Sequence, residues 1–301
     1  MINDSEMMKK SKLNIWIMAS RPKTLWAAIA PVIIGTSMAF GADKGHLLSA
    51  VLAAISAMLI QIGTNYANDY FDFIRGADQK GRLGPTRVTQ AGLVTPAAMR
   101  RATAIVFMLA VLAGLYLIWR GGWPILIIGI LSILFGILYT AGPYPLGYNG
   151  LGDIFVLIFF GVVAVGGTFY VQVLEINALV ILAGLSPGLF SMAILTVNNL
   201  RDVQSDIKAG KLTLAVRFGE NFARWEYLLS VLIACLIPIL LFFLTHSHLY
   251  ALAASLVFVA AIPSIKTIFE QKPGIIFNQV LATTGKLLLI YSLLFSIGWV
   301  L

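Results

Sequence analysis

Apolar residues run along this chain in long blocks, and polar residues gather in the gaps between them. A helix that crosses a bilayer needs about 20 mostly apolar residues. Nine blocks meet that requirement: residues 24–40, 47–66, 102–119, 123–140, 154–173, 178–197, 227–244, 249–265 and 278–301. Pro31, Pro124, Pro187, Pro238 and Pro263 lie in or near these blocks, where neighbouring helices can re-satisfy the backbone. The second and sixth blocks run on without a break into polar segments, NYANDYFDFIRGAD from Asn65 and NNLRDVQSDIKAG from Asn198. The pattern predicts an all-α integral membrane protein. It is expected to form one domain over residues 1–301, with nine transmembrane helices around a central cavity and residues 1–20 as a cytoplasmic N-terminal segment.

Composition agrees. The chain is 59% hydrophobic and 11% charged, with a mean hydropathy of +0.90, whereas soluble domains carry roughly 25% charged residues. The net charge of +8 would suggest a nucleic-acid partner in a soluble chain. Here its distribution says otherwise. With the N-terminus inside, every one of the 21 Lys and Arg residues except Lys44 and Arg120 falls on the cytoplasmic side, as the positive-inside rule requires. A nucleic-acid partner is therefore not expected. The same orientation places both Asp-rich segments on the cytoplasmic side, with the cavity open toward it. The lone Cys235 rules out an intrachain disulfide. His46, His246 and His248 fall on the opposite side, without metal-ligand spacing, and read as solvated. The first twenty residues lack the pattern of a cleaved signal, and a bacterial cell membrane is the expected location.

The two polar segments share a spacing. Asn68-x-x-x-Asp72 recurs as Asn198-x-x-x-Asp202. Residues i and i+4 share a helix face, so each pair points one way, and Asp206 joins the second. If the two helix ends face each other, Asp72, Asp78, Asp202 and Asp206 line one cavity. Magnesium suits such a set, because it takes one or two carboxylates together with waters and substrate phosphates. Basic residues flank both clusters: Arg75, Lys80, Arg82 and Arg87 near the first, Lys208 and Lys211 near the second. Acids beside bases suggest a metal–phosphate site, the bases neutralising phosphate oxygens. The plainer alternative is that these aspartates are solvated turns or helix caps. The repeated spacing argues against it, since acids at membrane depth are functional by default. Asp69 lies about 60° off the Asp72 face, where a cap or supporting role is as good a reading as metal ligation. A third segment, YTAGPYPLGYNGLGD from Tyr139 to Asp153, reads as a Gly/Pro turn. Its Tyr139, Tyr144, Tyr148 and Asn149 either line a pocket for an aromatic substrate or, for the tyrosines, belong to the interfacial belt.

Taken in order, NDYFDFIRGAD, TRVTQAG, YTAGPYPLGYNGLGD and NNLRDVQSDIKAGKLTLAVRFG resemble the UbiA superfamily of intramembrane aromatic prenyltransferases. The opening RPKTLWAAIAPVIIGT, the acid at Asp78 and the GPYPLGYNGLGD loop resemble its 1,4-dihydroxy-2-naphthoate branch, which serves menaquinone biosynthesis. The resemblance implies a Mg2+-dependent transfer of a polyprenyl group from its diphosphate to dihydroxynaphthoate, with loss of CO2 and diphosphate. It implies catalytic roles for Asn68, Asp72, Tyr139 and Asp202, and diphosphate contacts from Asn68, Arg87, Asn198 and Lys211. Asp72, Asp78, Asp202 and Asp206 would hold the metal. The sequence departs from the superfamily at Gly76, where many members have a third acid, and at Pro143 and Tyr144, where a lysine is expected. There are three rivals. Another enzyme of the superfamily would take a different aromatic or lipid acceptor, such as a benzoate, a tocopherol precursor, a haem or chlorophyll ring, or a glycerol phosphate. A cation-coupled transporter shares buried acids and paired halves, but basic residues beside the acids oppose cation entry. A CDP-alcohol phosphotransferase would carry a D-G-x-x-A-R signature, which the sequence lacks.

Overall fold

The computed structural model describes residues 11–76 and 83–301. A short first helix, α1 (Lys12–Ser20), is capped by the Ser11 side chain and stopped by Arg21 in the left-handed conformation, ahead of Pro22. Leu13 and Ile17, four residues apart on α1, are exposed, while the Trp16 ring packs on Tyr66. An interfacial helix has this form. The bundle follows: α2 (Leu25–Gly41), α3 (Leu47–Ile74), α4 (Pro96–Gly121) and α5 (Trp123–Leu138). Next comes α6, a continuous helical segment (Gly152–Val173) with a π-helical stretch at Ile158–Val163. The last four are α7 (Ala178–Lys208), α8 (Leu214–Thr245), α9 (Leu249–Glu270, its first turns 3₁₀) and α10 (Phe277–Val300).

Eight segments among the described residues are long and apolar enough to cross a membrane, and they coincide with eight of the nine predicted blocks. The fourth block is α5, apolar throughout but 16 residues long, or about 24 Å, which is short of a hydrocarbon core of about 30 Å. It stops before Tyr139 because Gly142 takes a positive φ of 79° and Pro143 offers no amide proton.

Side-chain bonds hold each set of helix ends together. At one end Lys44 pairs with Glu175 at 3.3 Å, Gln172 accepts from the His46 amide, and Arg120 donates to the carbonyls of Val171 and Gln172. At the other end Asn65 on α3 donates to Ser20 and Thr24 before α2, and Asn278 on α10 donates to the Leu83 carbonyl. The histidines at the first end are more engaged than expected. His46 caps α3 through Ser49, and His248 stacks on Trp299 at 3.9 Å.

The buried core runs through α2, α7, α8 and α10. By contrast α4 and α5 expose much of their apolar surface, including Leu112, Leu115, Ile127 and Ile130. In a lipid solvent, helices associate through close packing of small residues. Here α6 crosses α7 through Gly161, Gly184 and Gly188. A Cβ on Gly161 would fall 2.6 Å from the Gly184 carbonyl, and one on Gly188 would fall 2.5 Å from the Leu157 carbonyl.

Candidate active site

Both polar motifs are helical extensions of spanning segments, as the unbroken blocks imply. The α3 helix continues through Asp72 to Ile74, and α7 through Asp206 to Lys208. Their ends meet at the rim of one cavity of about 520 Å³. Asn68, Asp72, Asn198, Asp202 and Asp206 all line it, so the i,i+4 spacing does present each set to one space. Arg87, Tyr139, Tyr148 and Lys211 line the same rim. Below the rim the wall turns apolar, with Phe135, Phe155, Phe159 and Leu195, and it reaches Ile125 near the far end of α5. From Ile125 to Tyr139 the chamber follows α5 for about 21 Å at about 1.5 Å per residue.

Each carboxylate has a defined partner. Asp72 is 1% exposed. Its Oδ2 pairs with the Arg87 guanidinium, and its Oδ1 accepts the Tyr148 hydroxyl at 2.5 Å. Asp202 is gripped by Arg201, whose Nε donates to Oδ1 at 2.8 Å. The same guanidinium donates to Asn198 Oδ1 at 2.7 Å and Asn278 Oδ1 at 2.8 Å. Asp206 stands 3.9 Å from Lys211 Nζ. Asn68 Oδ1 accepts the Thr140 hydroxyl at 2.9 Å. Asp78 lies outside the described residues, as do Lys80 and Arg82.

Asp69 supports the site without facing it. Its two carboxylate oxygens accept the backbone amides of Val88 and Thr89, each at 3.1 Å. These bonds fix the start of the TRVTQAG segment, and so they fix Arg87 beside Asp72. Replacing Asp69 by Asn leaves one acceptor oxygen for two amides. A bond to a charged group is worth about 1.5–3 kcal/mol, so kcat/KM should fall by roughly 10–100-fold while Asp72 stays in place. Steady-state kinetics on Asp69→Asn measures this, and unchanged kinetics would remove Asp69 from any supporting role.

The tyrosines divide. Tyr144 is 59% exposed and belongs to the interfacial belt. Tyr139 sits just past the end of α5 with its hydroxyl close to Gly152. Burial, then the carboxylates of Asp153, Asp72 and Asp206, push its pKa up against the opposing pull of Arg21. It therefore stays a phenol at neutral pH, with a hydroxyl able to donate a hydrogen bond. Tyr148 is held against the acids, its ring 4.5 Å from Lys211 Nζ. Asn149 closes a local turn onto the Pro145 carbonyl, while its own carbonyl accepts from Arg217 at 3.0 Å.

Three residues in or beside the site escaped sequence reasoning. Arg201 counts there only toward loop charge, yet it is 2% exposed and organises the second motif. Its place one residue before Asp202 was the available signal. Arg201 is not itself among the cavity-lining residues, whereas Arg21 and Ser191 are; Arg21 opens the RPKTLWAAIAPVIIGT segment, and nothing in the local sequence marks Ser191. Lys286 is exposed on α10 and is not among the cavity-lining residues.

Among the described residues no three His, Cys, Asp or Glu side chains form a ready-made metal cage. Asp72, Asp202 and Asp206 nonetheless line one cavity beside cationic side chains, a donor chemistry compatible with a hard divalent ion that completes its shell with substrate phosphate and water.

The fold and the site define a multi-pass membrane protein with a charged pole, carboxylates beside cations, set above a long apolar chamber. Residues 28–274 match the family model "UbiA prenyltransferase family", and the chain belongs to that family. It is 39% identical to the 1,4-dihydroxy-2-naphthoate octaprenyltransferase of Escherichia coli (strain K12), across 96% of each chain. It is 36% identical to the enzyme of that name from Mycobacterium tuberculosis (strain ATCC 25618 / H37Rv), over 92% of this chain and 94% of that one. Among solved structures, the UbiA homolog from Archaeoglobus fulgidus bound to GPP and Mg2+ superposes with a TM-score of 0.70 at 16% identity, covering 95% and 99% of the two chains. At that identity the likeness bears on the fold alone.

Proposed function

We propose that this protein transfers a polyprenyl group from polyprenyl diphosphate to 1,4-dihydroxy-2-naphthoate, releasing CO2 and diphosphate, as a step of menaquinone biosynthesis. The observation that carries the reading is a single cavity with two chemistries: acids and cations at the rim, and an apolar chamber beneath. A lipid diphosphate has the same two ends. The names of relatives up to 39% identical over nearly the full chain support the naphthoate as acceptor.

In this reading Asp72, Asp202 and Asp206, with Asp78, hold Mg2+, which supplies neutralising charge to the diphosphate. Arg87 and Lys211 bind phosphate oxygens, and Asn68 and Asn198 orient them. These groups stabilise the charge that builds on the leaving diphosphate as the allylic C–O bond breaks. Tyr139 adds a phenolic hydrogen bond. The apolar wall of Phe135, Phe155 and Phe159 keeps water from the allylic cation until the electron-rich ring carbon bonds to it and the carboxyl group departs as CO2. The rim faces the cytoplasm of a bacterial cell membrane, with the N-terminus inside, a reading supported by the distribution of basic residues.

The test is an assay of purified protein with Mg2+, a polyprenyl diphosphate and either dihydroxynaphthoate or 4-hydroxybenzoate, with products identified by mass. The expected product is the decarboxylated prenyl naphthoquinol, and chelating the metal should stop its formation. Product from 4-hydroxybenzoate alone would move the protein to a different acceptor. Ion uptake into proteoliposomes without prenyl transfer would favour a transporter instead.

A further inference from the structure

Tyr148 sits where the metal-binding and phosphate-binding groups of the rim meet. Its hydroxyl donates to Asp72 Oδ1 at 2.5 Å while Arg87 holds Oδ2. Its ring lies between two cations, with Lys211 Nζ at 4.5 Å and Arg75 Cζ at 5.6 Å from the centroid. Its carbonyl accepts the Leu212 amide at 2.7 Å, which ties the α5–α6 loop to the residue after Lys211. One side chain thus engages a candidate metal ligand through its hydroxyl and a candidate phosphate-binding cation, Lys211, through its ring.

We propose that Tyr148 is a positioning residue that couples cation binding to diphosphate binding. The inference rests on the metal–diphosphate reading above and adds an order to it. Tyr148 and Arg87 each bond one oxygen of Asp72, so a divalent cation that takes Oδ1 competes with the hydroxyl for that oxygen's electron density. A hydrogen bond to a charged group is worth a factor of about 10–100 in an equilibrium, so the cation alone binds weakly. A diphosphate changes the balance. It offers Lys211, which lines the cavity, charge-assisted bonds stronger than a cation–π contact at a partly exposed ring. As Lys211 leaves the ring, Tyr148 gains freedom to move and Asp72 Oδ1 becomes available. Linkage is reciprocal, so the cation strengthens diphosphate binding by the same factor. The enzyme then takes up its metal together with its substrate.

Tyr148→Phe keeps the ring between the cations and removes only the hydroxyl. The probe is Mn2+ alone, added to full-length protein in detergent, with free Mn2+ followed by its EPR signal. Tyr148→Phe should bind Mn2+ about tenfold more tightly than the native protein. Calorimetry with geranyl S-thiolodiphosphate, which is slow to ionise, should show Mn2+ strengthening its binding less in the variant, by the same factor. A matching melting temperature checks that the variant folds. Equal Mn2+ affinity in the two proteins, or weaker affinity in the variant, would overturn the role of Tyr148 and leave the diphosphate reading intact. If neither protein binds Mn2+, and neither binds the thiolodiphosphate in its presence, both fail together.

Discussion

Replacing Asp72 or Asp202 by alanine abolishes turnover, a loss expected to be on the order of 10³-fold or more, while the protein still inserts and purifies. Each carboxylate stands at the rim of the shared cavity, on a different helix, and each has an arginine that also answers to it. Removal has two effects. It deletes a candidate metal ligand, and it strands a buried guanidinium, Arg87 or Arg201, at 6% and 2% exposure. The second effect could lower stability by itself, so the isosteric Asp72→Asn and Asp202→Asn variants separate the two. Their amides can still accept a hydrogen bond from the arginine but are poor ligands for magnesium. Turnover should be lost in the Asn variants as fully as in the Ala variants, with a size-exclusion profile like that of the native protein. Near-normal product from all four would leave the two motifs without a catalytic role.

The distance between the two motifs in sequence shows what a chain can reveal of its own site. Asn68-x-x-x-Asp72 and Asn198-x-x-x-Asp202 stand out because polar residues at helical spacing are rare in apolar surroundings, and rarity is visible without a structure. Nine blocks would also end blocks two and six on the same side, but whether the two ends face each other is not legible in the count. The partners of those acids were harder to see. Arg201 looks like one more cytoplasmic-side cation. Only the turn of α7 shows that its guanidinium reaches Asn198 and Asp202 on its own helix and Asn278 on α10. Asp69 shares the composition of its neighbours, and its distinct task depends on where residues 87–89 return to the bundle. Tyr148 could have been belt or pocket, because the Gly/Pro loop that carries it has no periodicity to fix a direction. The length of α5 was overestimated for a related reason. Hydropathy continues through Tyr139 and Thr140, but the backbone turns where Gly142 and Pro143 require it.

The network around Arg201 leads to the second large effect. Arg201→Leu removes the guanidinium that bonds Asp202, Asn198 and Asn278, and it takes that partner from a carboxylate at 5% exposure. Breaking a buried pair from one side costs about 3–5 kcal/mol, enough to lower the melting temperature measurably and to release Asn278, which ties α10 to the Leu83 carbonyl at 2.8 Å. Activity should fall to background, because Asp202 and Asn198 lose their orientation together. Arg201→Lys distinguishes charge from geometry. An ammonium restores the charge but cannot serve three partners from one planar fork. It should therefore recover much of the stability and little of the turnover. Kinetics and thermal unfolding on the two variants decide the matter: full activity in Arg201→Lys would mean that the rim needs only a positive charge at this position, and that the alignment of the second motif has another source.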